Sequence, residues 1–157
     1  MNHLMWRYAF WTIAGYLSGS VLYAYFLPKW IKHVDVTALS DDGNPGTANA
    51  FKFGGIPLGI VVVLCELMKG CIPVYLAAHR LGVENWMFSL CMIAPIIGHA
   101  HSLFVPGKGG KAIAVSFGVL IGLYPIVEPL EILIFFYLFY SLVVVINPHL
   151  FRSMVTF

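Results

Sequence analysis

The sequence predicts an all-α integral membrane protein, a multi-pass bundle of about five spans in which broken or short helices surround a polar site on the cytoplasmic side. Three observations carry that expectation. Of the 157 residues, 60% are hydrophobic and 10% charged, where a soluble domain has about 45–50% and about 25%. Several apolar runs approach or exceed the ~20 residues of a transmembrane helix. The polar residues collect in short segments between those runs. A net charge of +2 provides no large basic surface, so nucleic acid is not an expected partner.

The first span is Tyr8–Leu27. Its apolar run to Phe26 exceeds the roughly 7–15 residues of a signal-peptide core and no A-x-A site follows, so it reads as a helix that stays in the membrane. The second, Gly54–Ala78, is interrupted by Pro57, by Lys69-Gly70 and by Pro73. The third, Trp86–Gly98, is short and contains Pro95; the fourth is Ala112–Val127 and the fifth Leu130–Ile146. Irregular backbone at membrane depth survives only inside protein or beside a wet cavity, so the broken spans are where a site is expected. Cys65, Cys71 and Cys91 lie in apolar runs without metal-ligand spacing and read as small buried hydrophobes. Residues 1–157 are expected to form one domain.

Lysine and arginine set the orientation. With the loop after the first span in the cytoplasm, Lys29, Lys32, Lys52, Lys108, Lys111 and Arg152 lie inside, and Arg7 and Arg80 outside. The N-terminus is then external, and the polar segments Ser40–Asn49 and Gly98–Lys111 emerge on one cytoplasmic face.

Each polar feature has two readings. The turn around Asn44-Pro45-Gly46 is a solvated loop, or a site where Asn44 and Asn49 bond a hydroxyl or phosphate. Lys69, costly at membrane depth, snorkels to the interface or serves a site; Glu66, three residues earlier, shares its helical face. The loop PGKGGKAIA is a positive-inside connector, or a phosphate cradle of Lys108, Lys111 and glycine amides before a fresh helix. It is not a Walker A loop, because Val105 and Ala112 occupy positions that need Gly and Ser/Thr. His99 and His101 have no third ligand nearby, so no metal site is expected. His99 is a general-base candidate, or a helix-end residue bonded to backbone. Nothing marks a covalent nucleophile.

Taken together, GNPGTANAFKFGG, LMKGCIPVY and GHAHSLFVPGKGGKAIA resemble, in order and spacing, the bacterial acyl-phosphate:glycerol-3-phosphate acyltransferase family. GSVLYAY at Gly19–Tyr25 is similar to that family's first-helix pattern, and the resemblance runs to about Ser141. It implies a multi-pass enzyme of the bacterial cytoplasmic membrane, embedded among membrane lipids, that transfers a fatty acyl group from acyl phosphate to the first hydroxyl of glycerol 3-phosphate. The product is lysophosphatidic acid, in phospholipid synthesis. No metal or cofactor is implied. By matching position it assigns His99, Lys111 and Lys69 to catalysis, and Ser20, Asn44, Gly46, Asn49, Lys108, Gly109, Gly110 and Ser141 to substrate binding. Lys108, Lys111 and the Gly109–Gly110 amides are expected to hold one phosphate and Lys69 to neutralise the other. His99, or else a substrate phosphate, takes the hydroxyl proton. All are expected to meet at one cavity.

The chain also departs from the family pattern. Asp42 stands where the family has serine, Ala112 where it has glycine and Ser102 where it has proline; Asp35–Ala38 occupies the region of a family arginine. The family's last helices are expected to be missing, which leaves a protein partner or oligomer as one way to complete the site. Two alternatives therefore stand beside the enzyme: a non-catalytic homologue that binds lipid precursors or a membrane enzyme, and a small transporter of a phosphorylated solute.

Overall fold

The computed structural model describes residues 2–144 and 155–156. Among the described residues it is helix and turn, without strands. The elements are α1 Asn2–Ser20, α2 Tyr23–Ile31, α3 Val36–Leu39, α4 Thr47–Gly54, α5 Ile56–Leu81, α6 Phe88–Ala100, α7 Ile113–Ile121 and α8 Glu128–Leu138, closed by a π-helical turn Phe139–Val143. The last residues of the expected fifth span, 145 and 146, lie outside the described set.

Two expectations about the spans need correction. The first span is two helices, with a break at Val21–Leu22. The second is not interrupted: α5 is a single helix of 26 residues that passes through Lys69, Gly70 and Pro73. Pro57 sits in its first turn, where a missing N–H costs nothing. Pro73 should orphan the carbonyl four residues back, that of Lys69. The hydroxyl of Ser18 on α1 donates to that carbonyl at 2.8 Å, so the helix continues. Among the described residues, α5 alone is long and apolar enough to cross a membrane unaided, with a mean hydropathy of 2.0; at 1.5 Å per residue it is about 39 Å long.

Helix pairs form because small residues let backbones touch. In lipid, apolar side chains gain no hydrophobic free energy by leaving the acyl chains for one another, so close van der Waals approach decides association. α1 packs on α6, and a Cβ at Gly19 would lie 2.1 Å from the Pro95 carbonyl oxygen. α5 packs on α7, and a Cβ at Gly118 would lie 2.1 Å from the Leu67 carbonyl oxygen. The main core gathers Tyr8, Val74, Phe88, Cys91, Val115 and Val119. Cys91 is buried as expected, whereas Cys65 and Cys71 are half-buried, and all three are free thiols. Most remaining large apolar side chains face outward, as lipid-facing positions must.

Gly118→Val should therefore lower the stability of the detergent-solubilised chain by about 1–3 kcal/mol. Ile93→Val, on an outward-facing position, should change it far less. Chemical denaturation in mixed micelles reads both.

Candidate functional site

The break in the first span exists because two other segments take over its hydrogen bonds. In a continuous helix the Ala24 N–H would donate to the Ser20 carbonyl. Instead Ala24 donates to Glu66 Oε1 on α5 at 3.2 Å, and the Ser20 carbonyl accepts from the Ser102 hydroxyl at 2.6 Å. The freed Val21 carbonyl accepts from Lys69 Nζ at 2.6 Å. Three of the backbone groups freed at the break are thus taken up by side chains of α5 and of the segment after α6.

Lys69 and Glu66 are the centre of this arrangement. Their charged groups are 2.6 Å apart, with side chains 1% and 0% exposed. His99 Nδ1, from α6, is 2.8 Å from Lys69 Nζ and 3.1 Å from Glu66 Oε2. An ammonium has three donors and no acceptor. Lys69 spends them on Glu66, Val21 and His99. His99 Nδ1 thus faces both members of the ion pair, and its Nε2 edge is turned to the glycine loop.

His99 carries the cluster to the glycine loop. Its carbonyl accepts the Gly110 N–H at 3.1 Å. A Cβ on Gly110 would lie 2.0 Å from His99 Nε2, and one on Gly109 would lie 1.8 Å from the Ala100 carbonyl oxygen. The two glycines are there because the loop lies directly on the end of α6. Ala112, at the family's glycine position, has φ +56°, a left-handed backbone that costs a non-glycine residue about 1–2 kcal/mol.

The two loop lysines reach the other polar segment. Lys108 donates to the Thr37 hydroxyl and lies 4.8 Å from the Tyr25 ring centre. Asp35, on the other side of Thr37, accepts from the Thr37 hydroxyl at 2.6 Å and holds its carboxyl below the usual range through that bond. Lys111 donates to Asp42 Oδ2 at 3.0 Å. Asp42 Oδ1 accepts from the Asn44 N–H at 3.2 Å and from Asn49 Nδ2 at 3.3 Å. The lysine bond, and then the two amides, lower the Asp42 pKa from its ordinary 3.8. The carboxylate's stabilising contribution is therefore present above 3.8 and is lost as pH falls through the lowered folded-state value.

The expected meeting at one cavity is only partly realised. Lys111, Asn44 and Asn49 converge around Asp42, and Gly46 caps the start of α4 beside them. An open cleft of about 580 Å³ is lined by Tyr16, His101, Ser102, Lys108, Gly109 and Gly110. Lys69 and His99 lie beneath the loop, 3% and 5% exposed, because a lysine at this depth needs a complete set of protein partners. Ser20 is buried, with its hydroxyl on the Tyr16 carbonyl. The Ser141 hydroxyl donates to the Tyr137 carbonyl within its own helical segment. Glu66 had a sequence signal, its spacing from Lys69. Asp42 had one too, since a carboxylate in the polar turn would repel an anion unless paired with lysine, and it pairs with Lys111; Thr37 and Tyr25 had none. Among the described residues no His/Cys/Asp/Glu group is arranged for a metal ion.

A sequence profile described as glycerol-3-phosphate acyltransferase matches residues 9–157. The chain belongs to the glycerol-3-phosphate acyltransferase family. The glycerol-3-phosphate acyltransferase of Thermotoga petrophila is 36% identical over 108 residues, which cover 69% of this chain and 54% of that protein. That of Pseudomonas aeruginosa strain PAO1 is 39% identical over 114 residues, 73% and 59% of the two. The chain thus spans about half the length of the curated relatives it matches. The crystal structure of PlsY (YgiH), an integral membrane glycerol 3-phosphate acyltransferase, in its glycerol 3-phosphate form superposes with a TM-score of 0.71 at 26% identity. The match covers 95% of this chain and 84% of that one. The lysophosphatidic acid form of the same enzyme gives 0.69. This chain is, like it, an all-helical integral membrane protein.

Glu66→Ala should cost about 3–5 kcal/mol, because it leaves Lys69 buried and unpaired. The double change Glu66→Leu with Lys69→Met should recover much of that loss in the same denaturation measurement. Ala112→Gly should raise stability by about 1 kcal/mol by relieving the left-handed alanine.

Proposed function

We propose that this chain transfers a fatty acyl group from acyl phosphate to the first hydroxyl of glycerol 3-phosphate, at the cytoplasmic side of a bacterial cell membrane, with its N-terminus outside. The observation that carries the reading is the placement of the Lys108–Lys111 loop beside the Asp42–Asn49 turn. It puts two ammonium groups and a glycine backbone next to the polar groups of a second segment. Acyl phosphate is already activated, so the protein needs no nucleophile of its own. It needs to hold two anions close and align one hydroxyl with one carbonyl.

In this reading Lys108, Lys111 and the Gly109 amide hold the phosphate; the Gly110 amide stays on His99. Asn44 Oδ1, buried and without a hydrogen-bond partner among the described residues, accepts a polyol hydroxyl, with Asn49 and Gly46 shaping the turn. The hydroxyl oxygen attacks the acyl carbonyl carbon. The ester C–O bond forms as the bond from carbonyl carbon to phosphate oxygen breaks. The proton goes to a phosphate oxygen, and inorganic phosphate leaves. His99 presents its Nε2 edge on the loop side, and Lys69 with Glu66 holds that ring in place. Ser20 supports the loop through Ser102, and Ser141 belongs to the helical wall. Lysophosphatidic acid stays with the membrane lipids as a precursor in phospholipid synthesis.

One observation favours a second reading, a non-catalytic homologue. The Asp42 carboxylate already occupies Lys111, and a binder that never turns over tolerates that.

Purified chain in lipid nanodiscs should release phosphate from acyl phosphate only when glycerol 3-phosphate is present. Lys108→Ala and Lys111→Ala should each lower kcat/KM roughly 10–100-fold, the worth of one charged hydrogen bond, while Arg80→Ala stays within about twofold. Binding without acceptor-dependent release would favour the second reading.

A further inference from the structure

The proposed reaction brings two phosphate groups to one site, and each needs cationic donors. The glycine loop offers Lys108 and Lys111. Lys69, the expected neutraliser of the second phosphate, is enclosed and spent on Glu66, Val21 and His99. One phosphate is therefore short of a cation. Arg7 and Arg80 meet at the start of α1 and the end of α5, away from the loop. Lys52 faces Asp41 at 3.8 Å and the Phe53 ring, not the loop. Lys29 does meet the loop, through Tyr25. From the last turn of α2 its ammonium donates to the Tyr25 hydroxyl at 2.8 Å. Lys108 stands over the same ring, 4.8 Å from its centre. The carboxylate beside them, Asp35, is already spent as the cap of α3. It accepts the Thr37 N–H at 3.0 Å and the Thr37 hydroxyl at 2.6 Å. Lys29 lies 3.9 Å from it, beyond hydrogen-bond reach. An ammonium has three donors, and Lys29 uses one of them here. Its side chain is 48% exposed, so the rest are open to an incoming anion.

We propose that Lys29, together with Lys108, holds the phosphate of glycerol 3-phosphate, while Lys111 and the Gly109 amide hold that of the acyl donor. This rests on the acyl-transfer reading. The division follows from how each substrate arrives. Acyl phosphate carries a fatty chain and stays in the lipid, so its phosphate meets the loop that lies on the end of α6. Glycerol 3-phosphate is water-soluble and meets the exposed ammonium on α2. Lys108 stands between the two, bonded to Thr37 on the same polar segment whose Asn44 takes a polyol hydroxyl. A cation shared in this way offsets the repulsion between two phosphates brought close together. Lys29 is then a binding residue for the acceptor and touches no reacting atom.

The test combines calorimetric titration with glycerol 3-phosphate and steady-state kinetics, on the full chain in nanodiscs at fixed pH and ionic strength. Lys29→Gln should weaken glycerol 3-phosphate binding about tenfold and raise its KM by a similar factor, the worth of one charged hydrogen bond. KM for acyl phosphate should stay within about twofold. Lys29→Arg should keep binding within about threefold of the wild type, and Lys29→Glu should weaken it more than Lys29→Gln does. Lys32→Gln, at an exposed lysine three residues on, should leave it unchanged. A lysine that served only the end of α2 would alter stability, not the affinity for one substrate. Unchanged glycerol 3-phosphate affinity in Lys29→Gln overturns the proposal. So does an equal loss in Lys32→Gln, an equal rise in both KM values, or a wild type that does not bind glycerol 3-phosphate. Weakened binding in Lys29→Gln without any phosphate release from the wild type keeps the proposal and removes acyl transfer. Acceptor-dependent release with an unchanged KM in Lys29→Gln does the reverse.

Discussion

The buried contact between Glu66 and Lys69 is the constraint on which the site is built. Two charges removed from water at this depth are tolerated only when they are paired and held by other protein groups. The partners they recruit are the frayed middle of the first span and the histidine at the end of α6. The break at Val21–Leu22 is the structural consequence: a regular helix there would have no free carbonyl for Lys69 and no free amide for Glu66. One ion pair thereby ties α1, α2, α5 and α6 together at a single depth.

That tie is transmitted to the surface by contact rather than by charge. His99 stands between the ion pair and the glycine loop, and only glycine at 109 and 110 allows the loop to lie flat on α6. The lysines at either end of the glycine pair then reach outward, Lys108 to Thr37 and Lys111 to Asp42. A rigid, charged layer lies beneath and a polar, half-exposed layer above. In the proposed acyl transfer, whose donor is already activated, such a division is sufficient: the lower layer fixes geometry, and the upper layer meets anions.

Much of this was legible in the residues. The apolar runs and scarce charges announced membrane helices. The glycines between Lys108 and Lys111 announced a loop built for close approach, and the polar turn at Asn44–Asn49 was recognisable as its companion. Other features misled. Pro73 and Gly70 read as interruptions of α5, because sequence does not reveal that the Ser18 hydroxyl will take the orphaned Lys69 carbonyl. The first span read as continuous, because nothing in Ser20–Tyr23 forbids a helix; the cause of the break lies on α5 and α6. Small residues four apart, Gly15 with Gly19 and Gly118 with Gly122, were an available signal for the two main helix pairings.

By itself the sequence determined the solvent and the chemistry on offer: a lipid-embedded helical chain carrying two lysines in a glycine loop and a charge pair at membrane depth. These are local properties, since hydropathy, backbone freedom and helical spacing depend on neighbours along the chain. Only the tertiary structure decided which groups those charges would meet. Lys69 is consumed by Glu66, Val21 and His99, while Lys111 is left at the surface against Asp42. Glu66 is three residues from Lys69 on one helix, but the other partners are 30 to 69 residues away in sequence, and a hydrogen bond is chosen by distance in space.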